Sequence, residues 1–144
     1  MAGEDAAAPS VLFVDESNTR LGFMAEHVAR RRLGEGARVA SAGYDVREPS
    51  PSERAVACLA SQGIDVDLHA PRPLRSVDVR TFDLVIALSR AAADKVPRSA
   101  QRRIVTWNVP DPWQGSDETY HEACQALSRA LEELLLQRER TDAS

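Results

Sequence analysis

The chain has 144 residues, 43% of them hydrophobic, which suffices for one core of ordinary size and leaves no room for a second domain. Its formal charge of −4, with no terminus dense in lysine or arginine, argues against nucleic acid as the main partner. No apolar run reaches the length of a membrane span, so no membrane association is expected.

Residues 1–9 (MAGEDAAAP) read as a disordered leader. They carry acids where a signal peptide carries bases and lack an apolar stretch, so a cytoplasmic protein is expected. Arginine stands for lysine everywhere but Lys95, which with the many alanines points to a GC-rich bacterial genome. Residues 11–14 (VLFV) are a continuous apolar run too short for a helix, the signature of a parallel strand buried on both faces. The polar turn DESNT follows, and then Leu21, Met24, Ala25, Val28, Ala29 and Leu33 recur at helical spacing until Gly34 and Gly36 end the helix. A helix N-terminus beyond the carboxyl end of a first strand offers unpaired N–H groups to an anion, so this loop is the place to look for chemistry.

Residues 37–42 (ARVASA) predict a second strand. Ser50 predicts a helix cap, with Pro51 in the first turn and Glu53 closing a capping box, and Ala55, Val56, Leu59 and Ala60 form the buried stripe before Gly63. Pro71 and Pro73 bias residues 64–74 toward irregular, extended chain. Residues 82–89 (FDLVIALS) are a second central strand, Ser89 caps a short helix through Lys95, and residues 104–106 make a fourth strand. Tyr120, Ala123, Cys124, Leu127, Ala130, Leu131, Leu134 and Leu135 mark a last helix with one apolar face, fraying from Gln137. Strands alternating with helices give an α/β three-layer sandwich: a four-stranded parallel sheet with helices on both faces, spanning residues 10–137 as one domain with a frayed tail at 138–144. Cys58 and Cys124 lie in helical patterns without metal-ligand spacing and read as buried free thiols. Neither a metal nor a cofactor is expected. Arg30, Arg31 and Arg32 read as a solvated helix face, Met24 and Trp107 as core, and His27 and His121 as surface or packing residues.

The first strand, loop and helix resemble the phosphate-binding loop of the low-molecular-weight protein tyrosine and arginine phosphatases and the related arsenate reductases, which run Cys-x-Gly-Asn-x-Cys-Arg-Ser and then Met-Ala-Glu. Asn18 and Met24-Ala25-Glu26 fall in register, as do Ser41-Ala42-Gly43 and the His69-x-x-Arg72 pair, with His69 read as a structural hydrogen-bonding residue. Where the family has its nucleophilic cysteine this chain has Asp15, and where it has the phosphate-clamping arginine it has Leu21. The loop glycine becomes Ser17, the second cysteine Arg20 and the serine Gly22. Asp111-Pro112-Trp113 resembles the loop whose aspartate is the general acid and whose aromatic residue walls the pocket, although Asp-Pro is also a plain turn. Thr19 fits the branch that includes the arginine phosphatases.

What the resemblance implies for fold is the same sandwich; for activity it implies loss. Thiolate attack and the arginine fork are both gone, and Asp15 and Glu16 bring negative charge to where a dianion would dock. Like charges at ~4 Å repel by ~1 kcal/mol in water and by several times that in a partly dry site. The expectation is a pseudophosphatase that binds a protein partner or a small ligand in a pocket made by Glu16, Ser17, Asn18, Thr19, Arg20, Leu21, Gly22 and Trp113, with a homodimer also open. Arg20 is expected to fold into that pocket and pair with Asp15 as a plug. An alternative keeps an enzyme with altered chemistry, with Asp15 and Asp111 as a general acid/base pair; in that reading Asp15-x-Ser17-x-Thr19 also loosely resembles the Asp-x-Asp-x-Thr of haloacid-dehalogenase phosphatases.

Overall fold

The two apolar runs pair with each other at the centre of one parallel sheet. In a computed structural model that describes residues 9–143, β1 (Ser10–Asp15) is flanked by β2 (Arg38–Gly43) and β3 (Leu84–Ala87), and β4 (Ile104–Thr106) lies on the outer side of β3, giving the order β2-β1-β3-β4. The expected disordered leader falls almost wholly outside the described residues. Alternation along β1 explains its unbroken hydrophobicity. Val11 and Phe13 enter one core and Leu12 and Val14 the other, so both faces of the strand are covered.

The first core is roofed by three helices: α1 (Leu21–Leu33), α2 (Glu53–Ser61) and α4 (Asp117–Ala143). The opposite face is covered by the short α3 (Arg90–Lys95) and by 3-10 turns at Leu74–Ser76 and Val79–Thr81, whose Leu74 and Val79 are buried. This is the expected three-layer α/β sandwich. No helix among the described residues is long and apolar enough to cross a membrane.

Three boundaries differ from the sequence reading. The cap of α2 is Ser52, not Ser50: its hydroxyl accepts from Ala55 N–H at 3.3 Å while its own N–H donates to Thr19 O at 3.0 Å, which ties the helix start to the loop after β1. The second apolar run is strand only over Leu84–Ala87; Phe82 turns into the smaller core beneath the Arg38 guanidinium, 3.9 Å from the ring centroid. The last helix continues through Ala143 instead of fraying from Gln137. No glycine or proline interrupts that stretch, and its glutamine, arginine and glutamate residues favour helix.

Of the three arginines of α1, Arg31 and Arg32 are exposed, as expected, and Arg30 is half-buried; all three are bonded. Arg30 bonds Glu26 and Asp67, Arg31 donates to Gln62 O, and Arg32 pairs with Glu132 of α4. His27 is buried and belongs to the interior: its Nε2 accepts from Asp67 N–H at 2.9 Å, which leaves Nδ1 to donate to Phe23 O at 2.9 Å. Met24 is fully buried, and Trp107 packs against Phe13 with ring centroids 5.7 Å apart.

Candidate functional site

The loop between β1 and α1 folds back over its own first residue. Asp15 ends β1, and its carboxylate turns under the loop, accepting from Asn18 N–H at 2.9 Å through Oδ1 and from Gly22 N–H at 2.8 Å through Oδ2. Gly22 lies in the first turn of α1, so the carboxylate takes up one of the unpaired amides of that helix. Burial pushes the Asp15 pKa up to about 6 despite the opposing hydrogen bonds from Gly22 and Asn18, with Asp111 raising it further and Arg20 lowering it.

A buried polar scaffold holds the loop in this shape. Asn18 adopts a positive φ of 61°, donates from Nδ2 to Ser41 Oγ at 2.8 Å and accepts from Arg72 N–H at 2.7 Å. The Ser41 hydroxyl donates to Glu26 Oε1 at 2.5 Å, and the fully buried Glu26 carboxylate also meets His69 Nε2 at 3.1 Å and Arg30 at 2.5 Å. A buried carboxylate persists only when paired in this way. His69 is therefore structural, as expected, and Glu26, to which the sequence assigned no role, is the centre of the scaffold. Gly43 completes it: a Cβ there would lie 2.7 Å from Glu16 O and 2.8 Å from the Ser17 carbonyl carbon, so the end of β2 can approach the loop only as glycine.

Arg20 does fold inward, but its partner is Asp111 rather than Asp15. Nε donates to Asp111 Oδ1 at 2.8 Å and an η nitrogen to Oδ2 at 3.1 Å, a bidentate pair that bridges the loop and the segment after β4. Both Asp15 oxygens are already engaged beneath the loop, whereas Asp111 comes over the top and turns both oxygens to the guanidinium, Oδ1 also accepting Trp113 N–H at 3.1 Å. The same guanidinium lies 5.8 Å from the Trp113 ring centroid, and Trp113 itself is 63% exposed at the rim.

The open cavity at this point, about 200 Å³, is lined by Glu16, Ser17, Arg20, Asp45, Arg47, Glu48 and Trp113. Four of the expected pocket residues are therefore present: Glu16, Ser17, Arg20 and Trp113. The others are not on its wall. Leu21 is packed in the larger core, Asn18 faces the scaffold, and Gly22 contributes its amide to Asp15. Thr19 is buried, bonded to Ser17 Oγ at 2.6 Å and to Arg20 at 3.2 Å.

Asp45, Arg47 and Glu48 were not singled out in the sequence. They follow β2, and loops at the carboxyl ends of neighbouring parallel strands converge, which is the signal that finds them. Arg47 is paired with Asp45 at 2.9 Å, so the two cations at the cavity, Arg20 and Arg47, are both neutralised by carboxylates. Tyr44 registers the surplus of negative charge: burial pushes its phenol up, and Glu16, Asp15, Asp45 and Asp111 push it further.

A parallel α/β sheet whose first strand delivers a closed loop to a helix N-terminus, opposite an Asp-Pro-aromatic segment, defines a phosphatase-type scaffold. Residues 10–143 match the family described as low molecular weight phosphotyrosine protein phosphatase, and the chain belongs to that family. It is 28% identical over 136 residues to the low molecular weight protein-tyrosine-phosphatase Etp of Escherichia coli K12, covering 86% of this chain and 90% of that one. Among solved structures it is similar to the low molecular weight protein tyrosine phosphatase from T. tengcongensis, with a TM-score of 0.78 and 29% identity over 90% of this chain and 99% of that one. It also shares its fold with the YwlE arginine phosphatase from Geobacillus stearothermophilus, with a TM-score of 0.80 and 24% identity over 94% and 97% of the two chains.

Proposed function

We propose that this chain is a binding or regulatory pseudophosphatase, inactive in cysteine-dependent phosphoryl transfer, whose loop pocket takes a protein partner or a small ligand of neutral or cationic character. The observation that carries the reading is the Asp15 carboxylate, which accepts the Asn18 and Gly22 amides and so fills from within a loop that would otherwise present those N–H groups to an anion. The loop holds no thiol, because the chain's two cysteines, Cys58 and Cys124, are in α2 and α4. Its one guanidinium, Arg20, is committed to Asp111.

The character of the ligand follows from what is left at the cavity. Glu16 and Glu48 line it alongside two arginines that are already paired, and an exposed indole offers a face on which a cation or an apolar group can rest. The alternative of Asp15 and Asp111 as a catalytic acid/base pair draws less support. Asp15 is shut beneath the loop, and Asp111 is held as the partner of a cation.

The test is a thermal-shift titration with phosphate, vanadate, arginine amide and lysine amide, beside an assay for release of phosphate from an aryl phosphate and a phosphoarginine peptide. A ligand at a hundred times its Kd stabilises the fold by about 2.7 kcal/mol. The expected result is no turnover and no shift with either anion. Turnover above background by protein free of contaminating phosphatase overturns the reading.

A further inference from the structure

The chain's two thiols, far apart in sequence, meet where α2 packs on α4, away from the loop chemistry described above. One side-chain amide serves both: Gln62 Nε2 lies 3.2 Å from Cys124 Sγ and 3.5 Å from Cys58 Sγ, and Cys124 Sγ is 3.7 Å from Gln62 Oε1. Both sulfurs thus touch the same amide nitrogen, and rotation of the two side chains past that amide is the movement that a bond of about 2.05 Å requires. Access is one-sided. Cys58 borders an open cavity of about 470 Å³ that Arg54, Asp117 and His121 also line, whereas Cys124 has no exposed surface.

We propose that Cys58 and Cys124 are a redox-modified pair that closes to an intramolecular disulfide under a peroxide oxidant and reopens with a dithiol. The Cys58 thiolate attacks one peroxide oxygen; the S–O bond forms, the O–O bond breaks, and the departing hydroxide takes up a proton as water. Cys124, after giving up its proton, attacks the sulfenic sulfur of Cys58; the S–S bond forms, the S–O bond breaks, and a second water leaves. Two thiols and one hydrogen peroxide thus become one disulfide and two waters. Burial pushes both thiols up against the lowering effect of the Gln62 hydrogen bond, so the thiolate fraction, and with it the rate, rises about tenfold per pH unit around neutrality.

The cross-link joins the two helices that border the loop. Ser52, at the start of α2, donates its N–H to Thr19 O and its hydroxyl to Tyr120 OH of α4, and Arg54 pairs with Asp117 at 3.0 Å. The disulfide would fasten the same pair of helices one to two turns further in, whatever the pocket binds.

The test treats the full chain with hydrogen peroxide and follows intact mass, free-thiol titration and melting temperature. The expected result is loss of two hydrogen masses and of both thiols, a proteolytic fragment linking Cys58 to Cys124, a melting temperature higher by about 10 °C, and full reversal by dithiothreitol. Cys58→Ala should abolish both the mass loss and the thermal gain. Persistence of both thiols under conditions that oxidise an exposed cysteine peptide, addition of oxygen to either sulfur as the end product, or disulfide-linked dimers would each overturn the proposal, and these readings on the unmodified sequence stand even where the variant folds poorly.

Discussion

Replacing Gly22 with alanine should destabilise the protein by about 3 kcal/mol, and replacing it with the serine that the family's loop carries there should do no better. A Cβ at this position would lie 2.6 Å from Asp15 Oδ1 and 2.9 Å from its Cγ. The carboxylate has nowhere to retreat, because moving it strands a buried charge and two backbone donors at once. The shorter cysteine side chain at position 15 removes the conflict. Gly22→Ser should therefore be nearly neutral in an Asp15→Cys background, giving a coupling of about 3 kcal/mol in a double-mutant cycle read by urea denaturation. Additive effects of the two changes would mean that the contact does not constrain the loop. In physical terms, the acid at 15 and the glycine at 22 are one coupled pair.

Stability should also fall as pH rises from about 4 to about 6, and Asp15 should be the cause. Its folded pKa of about 6 stands above the ordinary 3.8, so over that window the native state holds a proton that the unfolded chain has released. The contribution is fully present below the ordinary value and is lost as pH climbs through the folded value. A shift of this size corresponds to about 3 kcal/mol. Asp78 and Asp83 titrate in the opposite sense, Asp78 held low by its hydrogen bonds to Arg80 and Asp83 by the Ser10 amide, and they act at lower pH. The clean measurement is the difference between the wild type and Asp15→Asn across pH 3.5 to 7, chosen to bracket both values. That difference should slope downward for the wild type; a flat difference would mean that Asp15 is an ordinary acid.

The sheet was legible because burial on both faces leaves a continuous apolar run, and VLFV and LVIA have no other use for such composition. Helix faces followed from spacing. The start of α2 was misplaced because Ser50 and Ser52 both suit a cap, and the choice between them is made by a tertiary bond from Ser52 N–H to Thr19 O that no local pattern carries. At the site, the resemblance located the loop and Asp111 but not which carboxylate Arg20 would meet. Local adjacency suggested Asp15. Asp15, however, answers to the amides of its own loop, and Asp111 arrives from the far side of the sheet. Glu26 was similarly silent, since a glutamate on a helix reads as surface until Ser41, His69 and Arg30 are known to surround it.

The bond between Arg20 and Asp111 spans 91 positions of sequence, and it closes over a strand whose two neighbours both come later in the chain. As the polypeptide leaves the ribosome, β1 can join β2 early, but the sheet has no β3 until more than half of the sequence has emerged, and the arginine has no aspartate until later still. Loop and scaffold can thus mature around Asp15 while the cavity mouth is still open. Sealing is left to the end of assembly, when the segment after β4 comes into place. Contacts made that late act on the rate of coming apart more than on the rate of coming together. The guanidinium clasp is therefore a device for how long the finished pocket lasts.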